Sequence, residues 1–265
     1  MTSQPHGGPT FSLGQPTLHR LVRRGISTAL LCAGVAATAA AQAVAAPPSA
    51  QTTPLPAYVP TGHTIKYEKD IQAFLNADRT SPPPKDAILF IGSSIFRQWE
   101  QLGPQMAPLP VFNRAFGGSH TWEVLHYVDQ IVIPYQPRFV VYYCGSNDVN
   151  AKQDAAGITT RTQAFFERVH QALPSTILFY VDIQKAPDKR ANWGVVDSTN
   201  AAMSRYAKTR STWVRTIDLN PVLFDAQGQI RGELFRPDSL HFVPPAYTEF
   251  TTVIKPALEK AWTKR

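Results

Sequence analysis

Residues 87–94 read Ala-Ile-Leu-Phe-Ile-Gly-Ser-Ser, an unbroken apolar run that ends at a glycine and two serines. A short apolar run that stops at a turn residue is typical of a strand buried on both faces of a parallel sheet. The pattern therefore predicts a strand over Ala87–Ile91. It also places Ser94 where the chain turns from that strand into a following helix.

Similar apolar runs recur along the chain, and stretches with helical spacing separate them. Further strands are predicted at Val111–Phe112, Phe139–Tyr143, Ile177–Val181 and Trp213–Ile217. Helices are predicted around Ile71–Leu75, Thr121–Ile131, Phe165–Leu173, Asn200–Lys208 and Pro245–Trp262. This alternation predicts an α/β fold, a three-layer α/β/α sandwich with helices on both faces of a mostly parallel sheet. Such sheets bind ligands beyond the carboxyl ends of their strands, where functional residues are expected.

Polar motifs occupy those positions. They are Gly92-Ser93-Ser94-Ile95 after the first strand, Asn113–Ser119 with its paired glycines after the second, Gly145-Ser146-Asn147-Asp148 after the third, and Asp238-Ser239-Leu240-His241 before the last helix. Each motif is common by itself. Together, in this order and at successive strand ends, they indicate one functional site.

These segments resemble the four sequence blocks of the SGNH/GDSL hydrolases, which supply Ser, Gly, Asn and His. The resemblance runs from about Tyr67 to the end of the chain and is strongest to a bacterial exported GDSL-type esterase group. It implies the flavodoxin-like SGNH hydrolase fold. The site residues that it implies are Ser94 as nucleophile, Asp238 and His241 as its partners in a catalytic triad, and Ser94, Gly118 and Asn147 as donors of an oxyanion hole.

Two positions depart from the family pattern. Ser93 stands where the family has its eponymous aspartate, and Phe242 follows the histidine where many members have proline. Neither change removes a residue with an implied role. The sequence has no G-x-S-x-G motif, which disfavours the α/β-hydrolase fold.

The implied residues suit acyl transfer from an ester to water. A serine hydroxyl becomes an effective nucleophile when a base removes its proton, and His241 can do so while Asp238 fixes the tautomer of the ring. The N–H groups of Ser94 and Gly118 and the amide of Asn147 can stabilise the oxyanion. We therefore predict a serine esterase that hydrolyses carboxylic esters through an acyl-enzyme on Ser94.

Two alternatives start from the same segments. A carbohydrate O-deacetylase or an acyltransferase would use the same triad with a different acceptor or pocket. A non-catalytic glycan-binding module would have no need of all the implied site residues, which argues against it. In every case the expected partner is a small-molecule or glycan ester.

Two further residues are candidates for substrate binding. Trp193 is predicted to lie in the loop after the fourth strand, where a pocket wall is expected, and His120 follows the paired glycines. We predict no metal ion and no cofactor, because no Cys/His cluster in the sequence has the spacing of zinc ligands.

The N-terminal residues predict export. Three arginines precede an apolar, alanine-rich stretch that ends at the cleavage-site pattern Ala41-Gln42-Ala43. The predicted organisation is a signal peptide over residues 1–43, a linker over residues 44–64 and a hydrolase domain over residues 65–265. The mature protein is expected in the periplasm or outside the cell, without a stable membrane span.

Composition and charge argue against a disordered protein and against a nucleic-acid-binding protein. Hydrophobic residues make up 43% of the chain, which argues against disorder. The formal charge of +7 falls to +4 without the first 43 residues, and the remaining basic residues are scattered, so no nucleic-acid partner is predicted. Cys144 would be the one cysteine after signal removal, so stability must come from the apolar core and not from an intramolecular disulfide.

Overall fold

The structure is a computed structural model that describes residues 58–263. The predicted signal peptide (residues 1–43) and residues 44–57 of the predicted linker lie outside the described residues, as do residues 264 and 265. The described end of the linker, residues 58–64, contains bends and turns but no helix or strand.

Five parallel strands form one sheet in the described part of the chain. They are β1 (Ile88–Gly92), β2 (Val111–Asn113), β3 (Phe139–Tyr143), β4 (Ile177–Val181) and β5 (Val214–Ile217). The spatial order is β2-β1-β3-β4-β5, so the chain reverses its direction of winding between β1 and β3. Loops that leave the carboxyl ends of strands at such a point diverge and leave a crevice for a ligand.

Helices connect the strands and cover the sheet. They are α1 (Glu68–Asp78), α2 (Ser94–Arg97), α3 (Leu102–Met106), α4 (Thr121–His126), α5 (Val128–Ile131), α6 (Ser146–Asn150), α7 (Ala155–Ala172), α8 (Trp193–Thr209) and α9 (Pro244–Trp262). Short 3₁₀ segments lie at Ile133–Tyr135, Pro187–Asn192, Asn220–Leu223 and Gly232–Leu234. No helix within residues 58–263 has the length and apolar character that a membrane span requires.

Strand side chains alternate between two apolar cores. Ile88 and Phe90 pack on the side of α2, α3 and α9, whereas Leu89 and Ile91 pack on the side of α1, α4, α5, α7 and α8. Every residue of β1, β3 and β4 is buried, which explains why their sequences are unbroken apolar runs. The predicted three-layer α/β/α sandwich is confirmed.

Some predicted boundaries are wrong. The helix predicted over Thr121–Ile131 is two helices that meet at Tyr127. The helix predicted at Asn200–Lys208 begins much earlier, at Trp193. Its first turns contain glycine and β-branched residues, which have low helix propensity, and burial of Val196 in a small core with α6 and α7 residues stabilises them instead.

Gly92 controls the distance between β1 and β3. It pairs with Tyr143 in the parallel register, and its φ of +137° is one that side-chain-bearing residues rarely adopt. A Cβ atom at this position would lie 1.7 Å from the carbonyl oxygen of Tyr143. Because Gly92 and the Tyr143 carbonyl are both part of buried strand backbone, neither could move without separating the two central strands.

We expect Gly92→Ala to lower the free energy of unfolding by roughly 3 kcal/mol or more, since it combines backbone strain with overpacking. Gly103→Ala is the matched control, because a Cβ there meets nothing within 4 Å. It should raise the free energy of unfolding by up to about 1 kcal/mol through helix propensity. Chemical denaturation of both variants checks this, and equal stability of Gly92→Ala and the wild type would contradict it.

Candidate active site

Ser94 begins α2 directly beyond the carboxyl end of β1. Its side chain is nearly buried, with a relative exposure of 7% for the residue. The turn is held by the N–H of Ser93, which donates to the carbonyl of Tyr143 at 3.1 Å. Because Ser94 lies in the first helical turn, its own N–H has no acceptor within the helix.

His241 faces Ser94 from a loop 147 residues further along the chain. Its Nε2 lies 2.9 Å from the Oγ of Ser94, and its Nδ1 lies 2.7 Å from Oδ2 of Asp238. A proton on Nδ1, held toward the carboxylate, leaves the lone pair of Nε2 directed at the serine hydroxyl. The structure therefore joins Ser94, His241 and Asp238 in one line of hydrogen bonds.

The Asp238 carboxylate is stabilised as an anion by its own loop. Oδ1 accepts the N–H groups of Leu240 at 3.0 Å and His241 at 2.9 Å. Desolvation alone would raise the pKa of Asp238, but these bonds and the bond to the His241 ring outweigh it and lower the pKa to about 2. Asp238 is thus ionised across the working range of ordinary enzymes, although its side chain is 50% exposed.

Three hydrogen bonds to backbone carbonyls position the His241 loop and α2. The N–H of Arg236 donates to the carbonyl of His241 at 2.7 Å, and the N–H of Asp188 donates to the carbonyl of Ser239 at 3.1 Å. Tyr247 of α9 donates its hydroxyl to the carbonyl of Ile95 at 2.9 Å. These bonds connect the segment after β4 and the last helix to the two halves of the Ser94–His241 pair.

The loop between β2 and α4, residues 114–120, is called the glycine loop here. It lies at the same edge of the sheet as Ser94. The Oγ of Ser119 donates to the carbonyl of Gly92 at 3.2 Å, and Nδ2 of Asn147 donates to the carbonyl of Ser119 at 3.0 Å. One amide hydrogen of Asn147 is therefore bonded to the loop, and the other has no acceptor among residues 58–263. The N–H of Gly118 donates to the hydroxyl of Tyr67 at 3.2 Å. Tyr67 was not among the predicted site residues, because it lies before the first motif and carries no motif signal of its own.

A buried polar network connects the start of α4, directly after the glycine loop, with α6 and α7. Asp148, fully buried, accepts the N–H of Thr121 with both carboxylate oxygens, as well as the Thr121 hydroxyl. Arg161 of α7 donates to Asp148 at 3.2 Å and to the Thr121 hydroxyl at 2.7 Å. Removal of one member of such a network leaves another buried polar group unpaired. Arg161 was missed because a single arginine within a helix carries no sequence signal of burial.

His120 and Trp193, the predicted substrate contacts, share no hydrogen bond with Ser94, His241 or Asp238. His120 is the N-cap residue of α4, where its ring stacks on Trp122 at 4.0 Å and contacts Glu123 at 3.1 Å. Trp193 is not in a loop but starts α8; its indole N–H donates to Ala186 and its ring packs on Phe224 at 5.9 Å. Their contact with substrate stays a prediction.

Several solved structures have the same fold as this protein. The structure is similar to a GDSL-like lipase from Bacteroides thetaiotaomicron, at 18% identity and a TM-score of 0.62, over 72% of this chain and 98% of that one. It is also similar to a carbohydrate esterase family 3 structure from Talaromyces cellulolyticus, at 15% identity and a TM-score of 0.57, over 68% and 99% of the two chains. A lipase/acylhydrolase from Enterococcus faecalis has 14% identity and a TM-score of 0.56, over 66% and 96%.

The sequence itself matches a family description. No curated protein matches the chain. Residues 91–248 match the GDSL-like lipase/acylhydrolase family, and this match covers more than half of the chain. It includes the end of β1 with Ser94, the glycine loop and the loop that carries His241. The protein is thus a member of the GDSL-like lipase/acylhydrolase family of hydrolases.

Proposed function

We propose that this protein is a serine esterase that hydrolyses carboxylic esters through an acyl-enzyme on Ser94. The observation that supports it best is the pair of hydrogen bonds, 2.9 Å and 2.7 Å long, that join Ser94, His241 and Asp238. A nucleophile, a base and a group that orients the base are the parts that acyl transfer requires. We further propose, from the N-terminal sequence, that the enzyme meets its substrate after export.

In the first half of the reaction the ester loses its alcohol. The Oγ of Ser94 bonds to the carbonyl carbon while its proton passes to Nε2 of His241, and the carbonyl oxygen takes the electron pair of the broken π bond. The bond to the leaving oxygen then breaks, and Nε2 returns the proton to that oxygen. Asp238 stabilises the imidazolium that exists between the two transfers.

In the second half water releases the acyl group. A water molecule gives a proton to Nε2 as its oxygen bonds to the acyl carbon, and the electron pair of the carbonyl π bond moves to the carbonyl oxygen until the carbonyl re-forms. The bond between that carbon and the Oγ of Ser94 then breaks, and Ser94 recovers the proton from His241. A carboxylic acid leaves and the enzyme returns to its starting state.

Both tetrahedral intermediates carry a negative oxygen that needs hydrogen-bond donors. The N–H of Ser94, at the start of α2, and the second amide hydrogen of Asn147, at the start of α6, are two such donors. Gly118, the third donor implied by the family resemblance, directs its N–H at the Tyr67 hydroxyl.

We expect Ser94→Ala to lower kcat for p-nitrophenyl acetate roughly 10⁶-fold, because it removes the nucleophile. Ser93→Ala is the matched control: its hydroxyl is buried and has no hydrogen-bond partner among residues 58–263, so kcat should stay near that of the wild type. Steady-state kinetics and thermal unfolding of both variants test this. Hydrolysis by folded Ser94→Ala at the wild-type rate would place the nucleophile elsewhere.

We expect Asp238→Asn to lower kcat roughly 10⁴-fold, because an amide cannot hold the required tautomer or balance the imidazolium. Asp225→Asn is the matched control. The Asp225 carboxylate likewise accepts two backbone N–H groups in an exposed turn, at 3.0 Å and 2.7 Å, but contacts no imidazole. Comparable rates for both variants would contradict the role of Asp238.

The acid limb of the pH profile should report a single protonation. The lowered pKa of Asp238, about 2, keeps this carboxylate charged while His241 takes up a proton. A plot of log kcat/KM against pH should therefore rise with a slope of one on the acid side. The contribution of the charged Asp238 to the rate should be lost only as the pH falls toward 2. A slope of two well above that pH would show that both groups titrate together.

A further inference from the structure

The hydroxyl of Tyr67 lies among the donors of the proposed oxyanion site. It accepts the N–H of Gly118 at 3.2 Å. A Cβ atom on Gly118 would lie 3.7 Å from this hydroxyl and 3.7 Å from Nδ2 of Asn147. The phenol oxygen of Tyr67 and the amide of Asn147 therefore both lie next to Gly118.

The ring of Tyr67 is held against the glycine loop. It meets Phe116 edge-on at 5.5 Å between centroids, and a Cβ on Gly117 would lie 2.0 Å from its Cε1. Gly117 has a φ of +43°, so this position excludes a side chain on two counts. Tyr67 thus packs directly on backbone, which leaves its hydroxyl little freedom.

The backbone of Tyr67 is held in a left-handed conformation, with a φ of +72°. Such a conformation is unfavourable for a residue with a side chain and persists where neighbouring contacts enforce it. Here those contacts come through Lys66, whose N–H donates to Glu123 at 3.1 Å and whose carbonyl accepts the hydroxyl of Tyr127 at 2.8 Å. Both partners belong to the helix and turn that follow the glycine loop.

The Tyr67 hydroxyl still has a proton to donate. A phenol can accept and donate at once, and Gly118 is its one hydrogen-bond partner among residues 58–263, with Tyr67 as acceptor. Burial, followed by the nearby charge of Glu123, raises the pKa of Tyr67 above its ordinary value of 10.0. The phenol accordingly stays protonated where a histidine-dependent esterase works.

We propose that the Tyr67 hydroxyl donates a hydrogen bond to the substrate oxygen as that oxygen becomes an anion. The N–H of Gly118 then acts through Tyr67, since donation to the phenol oxygen polarises its O–H bond toward the substrate. A hydrogen bond from a hydroxyl to an anion is among the stronger kinds in proteins. This inference rests on the proposed esterase function and adds a catalytic residue to it.

The direct test is Tyr67→Phe, which removes the hydroxyl and keeps the ring that packs on Gly117. Loss of one oxyanion donor lowers kcat about 100-fold or more, so we expect that loss for p-nitrophenyl acetate with KM nearly unchanged. Tyr206→Phe is the matched control. It removes a phenol that bonds to Glu167 at 2.9 Å between α8 and α7, and its kcat should equal that of the wild type.

The outcomes separate this inference from the proposed function. Hydrolysis by the wild type at a normal rate, together with an equal or faster rate for Tyr67→Phe, would overturn the role of Tyr67 and leave the esterase proposal standing. Failure of the wild type to hydrolyse any ester, with Ser94 unlabelled by a fluorophosphonate, would overturn the esterase proposal itself.

A second measurement covers the case in which Tyr67→Phe unfolds. A fluorinated tyrosine at position 67 keeps the shape of the ring and lowers the pKa of the phenol. If the hydroxyl donates to the oxyanion, kcat should fall on the basic side as this phenol loses its proton, where the wild-type rate stays level. An unaltered basic side would contradict the proposal, because a residue with only a packing role would not respond to its protonation.

Discussion

The close approach of β1 and β3 at Gly92 is the contact from which the candidate site is built. With no side chain at this position, the two strands can pair up to Tyr143, and the chain can turn at once into α2. The carbonyl of Gly92 also accepts the N–H of Phe116 at 3.0 Å and the hydroxyl of Ser119 at 3.2 Å. One residue therefore brings the Ser94 turn, the glycine loop and the end of β3 to a common edge.

Buried polar groups then make this edge rigid. The carboxylate of Asp148 connects the start of α4 to α6, and the guanidinium of Arg161 in α7 pairs with its charge. An unpaired charge at this depth would be strongly unfavourable, so the network tolerates one arrangement of its members. Donors aimed at a developing charge are effective when they are already in place, and in the proposed mechanism this network would hold Asn147 in position beforehand.

The His241 loop is supported in a different manner, since it is largely exposed. Asp238 accepts two N–H groups of its own loop, and these bonds keep it charged without deep burial. A bond from the segment after β4 holds the loop at Ser239, and a bond from Tyr247 of α9 holds α2 at Ile95. On the glycine-loop side, the Tyr67 hydroxyl accepts the N–H of Gly118.

The sequence by itself determined the fold class, the family and the residues to inspect, because burial on both faces of a strand and turns at its end leave local patterns. Only the tertiary structure decided that Ser94 and His241 are 2.9 Å apart, that Trp193 begins a helix, and that Tyr67 and Arg161 belong to this region. Their partners are distant in sequence: 51 residues separate Tyr67 from Gly118, and 40 separate Arg161 from Thr121. Hydrogen bonds over such separations depend on how whole elements pack, which no local pattern of residues records.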